Sequence, residues 1–393
     1  MRVSTALMHQ RGLELMQMQQ QSLLRTQTQL ATQQKMLSAA DNPSDWSTAM
    51  GIDELLAQST RYQSNAQAAQ HGLGLEETAL AEGMDVLARV RELAIQANSG
   101  TQSPQTRAVI AQELDGLREQ LLAIANRDDG QGRYLFAGTR DDTRPFSWSG
   151  TAVNYSGDAQ QRQLPIGHAR SVAVGDAGSA VFMGLRTGDG RVQVTAEAAN
   201  TGAMRLQHTT AYDASVYDGT AFALRFGSGQ VEILDAGGNP VETRAYTPGA
   251  AVRVNGIELA FDGVPADGDL FRVEPSQTQD MFALLDKLAR IAGEPQAGAG
   301  TQTAMQQALR ELESAESQLS SIRTGAGLRL GAAQDAESTL SAQSVQAQET
   351  LSQLRDVDVA EAASRLQREL LALQAAQASH AQIQRLSLFD YLR

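Results

Sequence analysis

Apolar residues return every seven positions near the start of the chain, at Met16, Leu23, Leu30 and Leu37. Such spacing keeps one stripe along one side of a helix. The positions interleaved with it, Gln20, Gln27 and Gln34, are polar. A two-stranded coiled coil wants both sets apolar, so the pattern predicts either a solvated linker helix or a helix packed among several neighbours. The apolar side chains available here are too few to offset the entropy of ordering the first forty residues alone. This segment therefore needs something to pack against. The last part of the chain has a matching pattern. Val359, Ala363, Leu366, Leu370 and Leu373 form a second seam, followed by the Ala- and Gln-rich LQAAQASHAQIQ. The two end segments are natural partners.

Between them the period changes twice. Leu73, Leu80, Leu87 and Ala94 keep the seven-residue spacing, and Ile110, Leu114, Leu117, Leu121 and Ile124 alternate by four and three. Met305, Leu309, Leu312, Leu319 and Ile322 repeat the helical stripe near the end. In ADNPSDW, Asn42 is placed to cap a helix that starts at Pro43 with Asp45 in its first turn. The preceding helix is expected to end near Ala40, and Ser103-Pro104 to open another. From about residue 138 to 277 the pattern is strand-like. FALRF, QVEIL, VRVNGIELAF and DLFRV are separated by Gly, Asn and Asp, and the zone holds more than half of the 34 glycines. Val254-Asn255-Gly256-Ile257 is a hairpin signal.

The expected fold is therefore mainly α with an inserted β domain. A long antiparallel or coaxial helical bundle is built from both chain ends, and a small antiparallel β outer domain projects from it. The expected parts are terminal coiled-coil helices at 1–41 and 355–393, a helical bundle domain at 42–137 and 278–354, and a β-rich outer domain at 138–277.

Composition narrows the function. The net charge is −13 and the only lysines are Lys35 and Lys287, so no basic face for nucleic acid is seen. Absence of cysteine excludes disulfides and thiolate chemistry. No apolar run approaches the ~18 residues that a membrane span needs. The first residues lack the apolar core and cleavage site of a Sec-type signal peptide. The five histidines are scattered, with no HExxH, no P-loop and no nucleophile elbow. Asp128-Asp129, Asp141-Asp142, GSGQ near Gly229 and GDG at Gly188 read as turns. No catalytic, cofactor or metal site is expected, and the chain is not expected to be an enzyme.

One feature is left over. The chain closes with LSLFDYLR, placing Leu388, Phe389, Tyr391 and Leu392 where chain ends normally fray. VSTALMHQRGLELMQMQQQSLLRTQTQLATQQ with SAADNPSDW, GRYLFAGTRDDTRPF, VPADGDLFRVEPSQTQD and the segment from Asp356 to the end together resemble the flagellins and hook-associated proteins of bacterial flagella. The likeness covers both helical ends, about 60 % of the chain, while the β insert matches nothing. It departs from the family at QQKM (33–36) and at Trp46, where a small residue is usual.

The resemblance implies a structural junction protein between hook and filament, with a flagellin as the alternative. It implies that the terminal helices pair coaxially and assemble with copies through Met16, Leu23, Leu30, Leu37, Leu366, Leu370, Leu373, Leu388, Phe389, Tyr391 and Leu392. Those ends would be disordered in the monomer and fold on assembly. The implied partners are the other hook-associated junction protein, flagellin, a ring of copies, and an export chaperone on the C-terminal helix. No nucleic acid, membrane or cofactor is implied. The implied location is the extracellular flagellum, reached through the flagellar type III apparatus without a cleaved signal.

Overall fold

The computed structural model describes residues 2–99, 102–150, 152–213, 215–295 and 298–391; the side chains at 2–6, 8, 9 and 383–391 are outside the description. Helix α1 (Arg2–Thr32) is followed by α2 (Pro43–Ala97) and α3 (Pro104–Ala125). Among the described residues, fourteen short strands and a one-turn helix then lead to α5 (Met281–Gly293), α6 (Ala299–Arg355) and α7 (Val359–Tyr391); the one-turn helix is α4 (Gly178–Phe182). The chain forms two compact units, one of residues 1–64 and 336–393, the other of residues 65–335. Helices α2 and α6 contribute to both.

The start of α2 follows the capping chemistry of its sequence. Asn42 Oδ1 accepts from Asp45 N–H at 3.2 Å, and Asn42 Nδ2 donates back to Asp45 Oδ2 at 2.7 Å. Pro43 supplies a first residue whose missing N–H costs the helix nothing. Ser103 Oγ likewise accepts from Thr106 N–H at the start of α3. Leu73, Leu80, Leu87 and Ala94 are all buried, as are Ile110, Leu114, Leu121 and Ile124, so the apolar stripes form the core of the second unit.

Three of the buried ionisable side chains among the described residues tie elements of this unit together. Arg107 donates to the carbonyls of Ala97, Ile291 and Glu294, closing the C-terminal ends of α2 and α5 with one cation. Glu311 on α6 is fully buried. Its carboxylate accepts from Lys287 Nζ on α5 at 3.0 and 3.1 Å, from Gln279 Nε2 at 2.8 Å and from Gly188 N–H at 2.9 Å. The third is Glu76 on α2, whose Oε1 accepts from the Asp176 N–H at 2.7 Å.

The β part has a five-stranded antiparallel sheet and a three-stranded one. The first is ordered β10 (Pro240–Ala245), β9 (Gln230–Leu234), β8 (Phe222–Gly227), β13 (Leu270–Pro275), β6 (Val192–Ala196). The second is ordered β11 (Val252–Val254), β12 (Ile257–Asp262), β7 (Arg205–Ala211). Inward residues of both sheets share one apolar core. Phe261 of the smaller sheet packs 5.4 Å from Phe226 and 4.9 Å from Phe271 of the larger, centroid to centroid. Asn255 and Gly256 turn the β11–β12 hairpin with φ of 48° and 79°, the geometry that an Asn-Gly turn favours.

Two motifs singled out in the sequence are anchors of this fold. In YLFAG, Phe136 is fully buried and meets Phe182 edge-on at 5.1 Å, which in turn contacts Phe146 and Phe282. Gly138 follows at φ 73°, and a Cβ there would lie 2.2 Å from Asp158 Oδ1. In VPADGDLFRVEP, buried Asp269 accepts backbone N–H bonds from Thr201, Gly202 and Ala266, which closes the loop before β13. The paired aspartates are turn residues too: Asp128 and Asp129 accept from N–H groups of their own loop, and Asp141 pairs with Arg162 at 2.8 Å.

Candidate assembly interface

The N-terminal helix does not reach Ala40. It ends at Thr32, and Gln33 takes a left-handed conformation with φ 59°. The reason is a long-range pairing. Gln33 C=O accepts from Val357 N–H at 3.0 Å and Lys35 N–H donates to Arg355 C=O at 2.7 Å, a short antiparallel bridge between the α1–α2 and α6–α7 connections. Lys35 Nζ adds a bond to the Gln353 carbonyl, and Arg355 pairs with Asp53. Asp41 completes the corner. It accepts from Leu37 and Ser38 N–H and pairs with Arg25, and those hydrogen bonds hold its carboxyl below its ordinary value. Its support is present above the usual carboxylate range and is lost as pH falls through the lowered value.

A non-glycine residue at positive φ is strained. Replacing Gln33 with Gly is therefore expected to stabilise the first unit by about 0.5–1 kcal/mol. Chemical denaturation of the two purified chains reads this directly; an unchanged or lower midpoint would show that Gln33 pays no conformational cost.

Helices α1 and α7 pack on each other in a heptad register that the sequence pattern placed only in part. Met16, Leu23 and Leu30 are half-buried on α1 as expected. The interleaved positions are Gly12, Gln19 and Thr26, which are shielded, whereas Gln20, Gln27 and Gln34 are exposed. Small residues permit close approach: a Cβ on Gly12 would lie 3.3 Å from His380 Nδ1 of α7. Leu37 lies beyond the helix end, half-buried in the corner, and is not a helical seam residue.

On α7 Ala362, Leu366, Glu369, Leu373, Ala376 and His380 are shielded at spacings alternating by four and three, with Arg365 half-buried beside them. Glu369 accepts from Ser22 Oγ of α1 at 2.7 Å. Val359, Ala363 and Leu370, expected on this seam, are exposed; the seam runs through Ala362 and Glu369, and Ala363 and Leu370, each one position later, are turned about 100° away from them. The side chains of Leu388, Phe389 and Tyr391 and the whole of Leu392 lie outside the described residues.

Beyond the seam, apolar side chains remain in water. Leu13 and Leu24 are 51 % and 60 % exposed. Eleven residues apart, they fall on one row along one flank of α1. Leu7 and Met18, also eleven apart and exposed, form a row on the other flank. On α7, Leu371 is 65 % exposed on the side facing away from the seam, with Leu370 beside it. A paired helix that leaves apolar rows on both flanks is suited to further neighbours, not to solvent. The sequence pattern does not single out these rows; their exposure is defined by the register of the α1–α7 pairing.

Paired helices from the two chain ends, with a β sandwich formed by intervening residues of the sequence, define a flagellin-like structural protein. Comparison with known proteins agrees. The bacterial flagellin N-terminal helical region matches residues 3–141, and the bacterial flagellin C-terminal helical region matches residues 309–392. Flagellar hook-associated protein 3 of Escherichia coli K12 is 31 % identical over 182 residues, which cover 46 % of this chain and 57 % of that relative. The crystal structure of Xanthomonas campestris FlgL is 36 % identical, with a TM-score of 0.70, covering 77 % of this chain and 99 % of that one. A hook-associated protein 3 from Legionella pneumophila is 28 % identical with a TM-score of 0.71, covering 77 % of this chain and 98 % of that one. The chain belongs to the flagellar hook-associated protein 3 (FlgL) family. That family is structural, not enzymatic. Among the described residues, no helix is long and apolar enough to cross a membrane.

Proposed function

We propose that this chain forms the hook–filament junction of a bacterial flagellum, as a ring of copies between the other hook-associated protein and flagellin. The observation that carries this reading is the pair of exposed apolar rows flanking the α1–α7 seam. Neighbouring copies and adjoining flagellar subunits would cover them, and the terminal residues Leu388, Phe389, Tyr391 and Leu392 would take part in the same assembly. In this account 1–41 and 355–393 are the polymerising ends, 42–137 and 278–354 are the supporting bundle, and 138–277 is the outer domain. The ends become fully ordered only on assembly, which suits passage through a type III export channel. Before export a chaperone covers the C-terminal helix, hiding the exposed Leu370 and Leu371.

The test is electron microscopy of cells lacking the gene, with flagellin assayed in the medium. The expected result is hooks without filaments and flagellin lost outside. Normal filaments would overturn the reading and favour a redundant flagellin.

A further inference from the structure

In the second unit, β4 (Arg170–Val174) runs through Gly175 and Asp176 into α4, and here two carboxyls stand beside one guanidinium. Asp176 N–H donates to Glu76 Oε1 of α2 at 2.7 Å, while its carboxylate pairs with Arg329 of α6 and accepts from Gln161 Nε2. Two residues on, Gly178 N–H donates to the Phe136 carbonyl at 2.8 Å. These bonds tie the β4–α4 connection to α2, α6 and the YLFAG segment at once. Glu76 has no accessible surface, and the Arg329 guanidinium stands 4.0 Å from its Oε2. Among the described residues no N–H donor reaches that oxygen. The Asp176 carboxyl, however, lies within hydrogen-bonding reach of the Glu76 carboxyl. Two ionised carboxylates only accept, so a bond between them requires that one carry a proton.

The charge count agrees. With both carboxyls ionised, one guanidinium would face two buried negative charges; with one proton between them the cluster is neutral. The proton belongs on Glu76, because Asp176 holds the direct ion pair with Arg329 and Glu76 is the more deeply buried. We propose that Glu76 holds this proton in an O–H···O bond to Asp176 and that the pair is a latch opened by alkali: when the proton leaves, two carboxylates compete for Arg329 and the β4–α4 connection releases from α2. The charged groups around the latch are already matched. Glu77, the next residue of α2, pairs with Arg323 of α6 at 2.5 Å. On the other side, Arg162 of β3 (Arg162–Gly167) pairs with Asp141 at 2.8 Å, and Arg133 with Asp129 at 2.7 Å. His71 of α2 and Tyr134 line a cavity of about 290 Å³ whose wall includes Val174 and Gly175, so release of the connection opens the buried pair to that space.

Burial, then the nearby Asp176, pushes the Glu76 carboxyl up to about 8, against the opposing pull of Arg329. Released into water, the same carboxyl titrates at its ordinary 4.5. Between those values the shut latch binds one proton more than the open one. Its contribution to stability is therefore fully present below 4.5 and is lost as pH rises through about 8.

The experiment follows the full chain from about pH 5 to about pH 10 by two readouts, beside Glu76→Gln and Asp176→Asn. Carboxyl-carbon NMR of the native chain should show Glu76 titrating with a midpoint of about 8. Asp176→Asn removes the like charge and should lower that midpoint. Hydrogen exchange at the Asp176 amide reads the latch itself. Its protection, corrected for base catalysis, should fall about tenfold per pH unit up to about pH 8 and then level off. Glu76→Gln keeps the shape, still accepts from Asp176 N–H and offers Asp176 an N–H at every pH, so its protection should not change with pH. A Glu76 midpoint in the ordinary range near 4.5, an unmoved midpoint in Asp176→Asn, or the same loss of protection in Glu76→Gln as in the native chain would each overturn the proposal.

Discussion

Replacing Glu311 with Ala is expected to destabilise the second unit by about 3–5 kcal/mol. The carboxylate is fully buried and receives donors from three directions: Lys287 of α5, Gln279 of the strand before it, and the Gly188 backbone. Its loss strands the Lys287 ammonium, which is only 22 % exposed, and leaves two further N–H donors without an acceptor. For a unit of this size the change corresponds to a fall in Tm of about 6–15 °C. A double replacement, Glu311→Leu with Lys287→Met, removes both charges together and should recover about half of the loss, since burying neither ion is cheaper than burying one. Thermal melts of the three chains decide it. A single replacement that costs less than about 1 kcal/mol, or a double one worse than the single, would show that this cluster does not hold α5 to α6.

None of that cluster was visible in the sequence. Glu311 sits in ALRELESAE, where a glutamate ordinarily faces water. What buries it is the turn at Gly188 and the α5 lysine, both distant in sequence. The same holds for Arg107 and Glu76: nothing local distinguishes them from surface charges.

Elements set by local chemistry were legible. The Asn42-Pro43 cap, the Ser103-Pro104 start and the Asn255-Gly256 hairpin follow from side chains reaching their own backbone. The seam through Met16, Leu23 and Leu30 was also legible, because seven-residue spacing marks a face whatever it packs on. Which polar positions shared that face was not. Gln20 and Gln27 fit the spacing as well as Gln19 and Thr26 do, and only contact with α7 separates them. The helix end at Thr32 escaped for a similar reason. Gln33 to Lys35 leave the helix to pair with Arg355 to Val357, more than three hundred residues later. Trp46, the departure noted beside the cap, is half-buried at the start of α2 and disturbs no capping bond.

The second large effect concerns assembly and leaves the monomer almost untouched. Leu13 and Leu24 lie on one exposed row of α1, away from the Met16–Leu23–Leu30 seam. Changing both to Asp removes little buried area, so the isolated chain should lose no more than about 0.5 kcal/mol at each site. In an assembly that covers the row, each new carboxylate would be buried without a cation. That costs several kcal/mol per subunit and recurs around a ring of copies. The expected outcome is a folded, exported protein that cannot hold a filament.

The most direct measurement is therefore electron microscopy of cells whose only copy of this chain carries Leu13→Asp and Leu24→Asp, with circular dichroism of the purified variant as the folding control. The account predicts an unchanged spectrum and melting curve, bare hooks, and flagellin in the medium. Filaments of normal number and length from a folded variant would contradict it, because the exposed rows of the terminal helices would then play no part in assembly.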